Sequence, residues 1–138
     1  MSAKDTYHQI VVNALVKDNW LITHDPLHIK YGGFTFLIDL GAENLLGAIK
    51  DGHKIAVEIK SFLAASSLSE FHTAIGQFIN YRLVLKQTEP ERILYLAVTD
   101  YIYQSFFTTE FGKLAIQENQ IKLLTFDAEQ EVITEWLE

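Results

Sequence analysis

Apolar side chains recur along this chain at two spacings, and the switches between them mark its elements. Over residues 5–17, Tyr7, Ile10, Val11, Ala14 and Leu15 fall on one helical stripe, with Ser2 or Asp5 placed to cap its start. Residues 20–23 and 27–30 are short β-prone runs, separated by His24, Asp25 and Pro26, and the second ends at a Gly32-Gly33 turn. Residues 34–40 predict a strand from their aromatic and β-branched content. Residues 45–60 predict a hairpin around Asp51-Gly52, a dipeptide suited to positive φ, with 45–49 and 54–60 as its arms. Residues 41–44 are then a bulge or bend. The strongest helical pattern covers 67–86, where Leu68, Phe71, Ala74, Ile75, Phe78 and Ile79 face inward and Ser67 or Ser69 can cap. After Pro90, residues 92–99 are apolar on both faces, as in a central strand covered from each side. A shorter helical region spans 101–118 with Phe106, Phe107, Phe111 and Leu114 buried, 121–126 is a strand, and 131–137 is an amphipathic strand or tail.

These elements predict an α/β fold: a mixed central sheet flanked by helices, in the order helix, three mostly antiparallel strands, helix, strand, then an added helix and strand. The strand–helix–strand portion is expected to cross over right-handed. No repeat, low-complexity tract or Pro/Gly-rich linker interrupts the chain, so residues 1–138 are expected to form a single domain.

Composition narrows the function classes. With 49% hydrophobic and 21% charged residues, wholesale disorder is excluded. The chain has no cysteine, which excludes a disulfide framework and a thiolate metal site and makes a reducing compartment the expectation. No run has the character of a signal peptide or the length to span a bilayer, so a soluble cytoplasmic protein without a membrane partner is expected. The formal charge of −7 argues against coating nucleic acid nonspecifically, because such binding rests on lysine and arginine displacing counterions. A local basic groove can coexist with an acidic remainder. The expectation is weak DNA affinity for the isolated chain, or a partner that supplies the positive surface.

The candidate chemistry lies on residues 54–60. Ile55, Val57 and Ile59 face one side of that strand, and Lys54, Ala56, Glu58 and Lys60 face the other. Upstream, Asp39 ends the apolar run Phe36-Leu37-Ile38, where a carboxylate is costly unless solvated or bound. An aspartate on one strand with Glu-x-Lys on the next suits a metal-dependent phosphodiesterase: two carboxylates hold Mg²⁺, and the lysine serves the attacking water and the phosphate charge. The competing reading is a solvent-facing cross-strand charge contact of little worth. Gln77 and Tyr81 share a helix flank directly downstream and can reach over the sheet. His8, on the flank of the first helix with Val12 and Leu15, is a metal-ligand or hydrogen-bond candidate near Asp39, or a core histidine satisfied by a carbonyl. Glu43 is a further oxygen donor or a surface residue. His24, His28, His53 and His72 have no spacing that specifies zinc.

Together these residues resemble the PD-(D/E)xK nuclease superfamily, and more closely the XisH family of fdxN element excision controlling factors of cyanobacteria. The resemblance is carried by Ala3-Lys4-Asp5, Thr23-His24-Asp25-Pro26, Ile38-Asp39-Leu40-Gly41-Ala42-Glu43, residues 54–62, Gly76-Gln77, residues 94–98 and residues 127–133, and so covers essentially the whole chain. It implies a restriction-endonuclease-like fold in which Asp39, Glu58 and Lys60 match the nuclease motif. Asp39 and Glu58 would hold Mg²⁺ or Mn²⁺, and Gln77 and Tyr81 match the Gln-x-x-x-Tyr helix of RecB-like nucleases. It also implies a role in programmed excision during heterocyst development, beside a site-specific recombinase and a small companion, XisI. The chain departs from the pattern in three places: no proline precedes the Asp39 strand, His8 stands where many relatives carry glutamate, and the spacer from Asp39 to Glu58 is long. Two functions follow. One is a Mg²⁺-dependent DNA endonuclease; the other is a catalytically silent control factor that acts through its companion. The oligomeric state is open between monomer and homo-oligomer.

Overall fold

The computed structural model describes residues 6–44, 53–63 and 66–138. In order they form α1 (His8–Lys17), β1 (Leu21–His24), β2 (Leu27–Tyr31), β3 (Phe34–Ile38), β4 (Leu40–Asn44), β5 (His53–Ile59), α2 (Ser67–Thr88), β6 (Arg92–Thr99), the short α3 (Asp100–Ile102), a π-helical turn (Tyr103–Phe107), α4 (Glu110–Asn119), β7 (Leu123–Asp127) and β8 (Val132–Leu137). Six strands make a mixed sheet in the order β1-β4-β5-β6-β7-β8, and β2 pairs with β3 in a separate ribbon. Pairing is parallel only within β5, β6 and β7, which are linked through the helices; β4 on β5 and β8 on β7 are antiparallel.

The expected α/β layering is present, but the element count differs. Among the described residues five strands precede α2 and two follow α4, against three and one in the outlined core order, because the short runs at 21–24 and 27–31 and the segment at 132–137 all pair as strands. The strand expected over 34–40 breaks at Asp39: β3 stays with β2, and β4 leaves for the main sheet. Residues 41–44 are therefore a paired strand, not a bulge or bend. Gly41 is there for close approach, since a Cβ would come within 3.1 Å of His24 Nδ1 and 3.2 Å of an Arg92 guanidinium nitrogen. The other arm of the expected hairpin, 45–49, and its Asp51-Gly52 turn lie outside the described residues.

Strict alternation on the central strands divides the core between two faces. Ala56, Leu94, Leu96 and Val98 pack under α2 with Phe71, Ala74 and Phe78, joined by Leu27, Ile29 and Ile38 from the β2–β3 ribbon. Ile55, Val57, Ile59, Tyr95 and Ala97 pack under α1 with Val11 and Leu15. On α2, Leu68 and Ile79 are exposed rather than inward, and the cap is Ser66, whose hydroxyl accepts from the Ser69 N–H. Phe111 and Leu114 are likewise half exposed, because α4 docks through its small residues. A Cβ at Gly112 would stand 2.8 Å from the Phe107 Cα. Among the described residues no helix is long and apolar enough to cross a membrane.

Candidate functional site

The register that pairs Leu40 with Val57 brings Asp39 opposite Glu58, at the point where the ribbon hands the chain to the main sheet. Because Asp39 sits in the break, its backbone is free of a ladder partner and engages side chains instead. The Asp39 N–H donates to Glu58 Oε1 at 3.3 Å, and the Ile59 N–H donates to Asp39 Oδ2 at 2.8 Å. Lys60 follows the last residue of β5, its backbone N–H bonded to the Ala97 carbonyl, and its Nζ lies 3.7 Å from Glu58 Oε2. Asp39, Glu58 and Lys60 thus converge on the α2 side of the sheet.

Glu58 is buried. Desolvation, and next the Asp39 charge beside it, push its carboxyl up to about 8 from the ordinary 4.5, against the opposing pull of Lys60. Burial also raises Asp39, partly offset by the Ile59 N–H and by the charges of His8 and Lys60. Without a cation the raised Glu58 carboxyl keeps its proton at neutral pH, and the titration of the two groups belongs to the pair.

Tyr81 and Gln77 come from α2, as their four-residue spacing predicts. Burial raises the Tyr81 hydroxyl to about 12, followed by the Glu58 and Asp39 charges, so it stays protonated beside the carboxyl pair. Its ring is set edge-on to Phe36 of β3 at 6.4 Å, which ties the ribbon to α2. Gln77 Oε1 is buried and meets no donor among the described residues. His8 is buried on α1, within electrostatic reach of Asp39, but its Nε2 is 2.7 Å from Asp25 Oδ1. Its direct partner is therefore Asp25, a residue the sequence marks only as the end of a β run. Glu43 stands apart on β4, 3.9 Å from Lys54 Nζ.

This donor set fits a hard divalent cation. Both ligand candidates are carboxyl oxygens, both are raised by burial, Glu58 further by the Asp39 charge, and a 2+ charge between them would offset both effects. No group of three or more His, Cys, Asp or Glu gathers in metal-binding geometry among the described residues. Two carboxylates are a protein share that Mg²⁺ accepts, the rest of its shell being water.

Comparison with known proteins agrees with the full-length reach of the resemblance. The sequence matches the model of the XisH protein family over residues 1–134. The crystal structure of an XisH family protein from Nostoc punctiforme is similar at 52% identity and a TM-score of 0.89, covering 97% of this chain and 100% of that one. A crystal structure of an fdxN element excision controlling factor protein from Anabaena variabilis is similar at 51% identity and a TM-score of 0.90, covering 98% and 100%. No curated protein matches the chain.

Proposed function

The chain belongs to the XisH family, and from that premise we propose that it is a Mg²⁺-dependent DNA endonuclease of restriction-endonuclease-like, PD-(D/E)xK architecture, acting in the control of DNA-element excision. The observation that carries the reading is the buried Asp39–Glu58 carboxyl pair with the Lys60 ammonium beside it. Asp39 and Glu58 hold the cation, and Mg²⁺ or Mn²⁺ in that position supplies Lewis acidity and an activated water. Lys60 faces the phosphate charge that develops, and Tyr81 keeps a donor hydroxyl at the site. Gln77 orients the substrate or a water through its unpartnered carbonyl oxygen. His8, held by Asp25, is a positioning residue that favours ionised Asp39.

Nicking of supercoiled plasmid with Mg²⁺ or Mn²⁺ tests this. Lys60→Ala is expected to lower the rate by about 10²-fold or more, and Asp39→Asn and Glu58→Gln to abolish metal-dependent cutting. Activity that survives all three substitutions, or none from wild type on any DNA with or without a companion protein, contradicts the reading.

One observation favours a second reading, a catalytically silent control factor that regulates a recombinase through a companion such as XisI. Among the described residues Lys60 is the lysine or arginine beside the carboxyl pair, in a chain of net charge −7, a thin positive field for a DNA backbone. Excision that proceeds normally with Asp39→Asn would favour it; loss of excision with that variant would count against it.

A further inference from the structure

A groove of about 1130 Å³ opens between the C-terminal half of α2, the start of β6 and α4. It lies at the end of the sheet where β6 and β7 begin, whereas Glu58 and Lys60 stand where β5 finishes. Its walls combine two features. Ile79, Leu83 and Ile93 are exposed hydrophobics that continue inward to the buried Phe78, Phe107 and Ile121. Around them stand five cations, Arg82, Lys86, Arg92, Lys113 and Lys122, with Glu138 the one carboxylate. The whole chain has 11 Lys and Arg against 18 Asp and Glu, so this gathering of positive charge runs against the composition.

The five cations do different work. Arg82 donates to the Asn119 and Gln120 carbonyls at the end of α4 and lies over the Phe78 ring. Arg92 is buried against Glu89 and the Ile55 carbonyl. Lys122 pairs with Glu138 at 3.5 Å. These three shape the walls. Lys86 and Lys113 are exposed, one on each helix that flanks the groove, and pair with no carboxylate among the described residues.

We propose that this groove docks an acidic amphipathic helix of a partner protein, apolar face inward and carboxylates towards Lys86 and Lys113. Apolar anchors at i, i+3, i+4 and i+7 match a trough walled by two helices. A desolvated, mostly apolar floor is a poor bed for a phosphate backbone but a good one for leucine side chains. The positive rim then selects the sign of the partner's flank and speeds encounter.

The test uses the full chain and a panel of fluorescent 16-residue helical peptides with leucine at those four spacings, flanked either by glutamate or by lysine. Members of the glutamate series are expected to bind with anisotropy midpoints of about 10–100 μM at low salt, weakening as salt rises. Lys86→Glu with Lys113→Glu, both surface changes, should weaken that binding about tenfold or more, with an unchanged melting temperature, and should favour the lysine series. Leu83→Asp should abolish binding of both. Equal binding of both series, no binding by any member, or glutamate-series binding untouched by the charge reversal overturns the proposal. So does duplex or single-stranded DNA that competes for the groove and is lost in the double variant, which would make it a nucleic-acid surface. Self-association of the wild type abolished by Leu83→Asp would assign the groove to a second copy instead. Plasmid nicking in the same variants is expected to match wild type, so that failure here and failure of the endonuclease reading are told apart.

Discussion

A buried carboxyl pair holds its proton until pH or a cation removes it, and that single fact sets the behaviour expected at Asp39 and Glu58. The folded chain retains at about pH 8 a proton that the unfolded chain releases near 4.5, so folded binds more protons than unfolded between those values. The pair's contribution is fully present below about 4.5, falls as pH rises through that window, and levels off above about 8. Glu58→Gln removes the ionisation and is expected to raise metal-free stability at pH 8.5 by about 1–2 kcal/mol, a melting shift of a few degrees, with little change at pH 5. Divalent cation acts in the opposite sense. Because binding must displace the Glu58 proton, stabilisation by Mn²⁺ should grow from pH 6 to pH 8.5 in wild type and vanish in Glu58→Gln. Thermal melts at three pH values with and without Mn²⁺ check both. The residue types and the face of Glu58 and Lys60 were legible from alternation alone. The partner of His8 was not, since nothing in the spacing of Asp25 marks it as facing a helix 17 residues away.

At the scale of elements, long periodic segments were readable and their ends were not. β5, β6 and α2 follow from alternation and helical spacing because tertiary packing agrees with the local pattern. The break at Asp39 is hard to read because β-prone residues flank it on both sides and one aspartate does not by itself end a strand; the pairing of β3 with β2 and of β4 with β5 divides the run. Gly41 misled for the same reason, its absent side chain answering to His24 and Arg92 rather than to a bend. On α4 the aromatic content suggested burial, but Gly112 and Ala115 make the contact and leave Phe111 outside. The long α2 carries both core and site residues, so its buried middle and its N-cap should respond differently to substitution. Phe78→Ala, deep in the core, is expected to cost about 3–5 kcal/mol, whereas loss of the Ser66 cap in Ser66→Ala should cost about 1 kcal/mol. Urea unfolding of the two variants measures the difference.

Across the whole molecule, charge is unevenly placed. Among the described residues Lys60 stands at the carboxyl pair, while five cations line the groove at the other end of the sheet. Composition could give the total but not its distribution, which depends on how α2, α4 and β6 meet. Metal-free binding to a 20-base-pair duplex is accordingly expected to be weak, with a midpoint above about 10 μM at 150 mM salt, and shallow in its salt dependence because few phosphates can be neutralised. A steep slope in a titration series would indicate a basic surface that these residues do not provide.

The proposed activity requires Asp39 and Glu58 to hold a divalent cation together, and crystals of the wild type soaked in Mn²⁺ give the sharpest check. An anomalous peak between the two carboxylates, about 2.0–2.4 Å from an oxygen of each, is the expected result, and it should be lost in Asp39→Asn. No peak between the two carboxylates at pH 8.5 in saturating Mn²⁺ would contradict it.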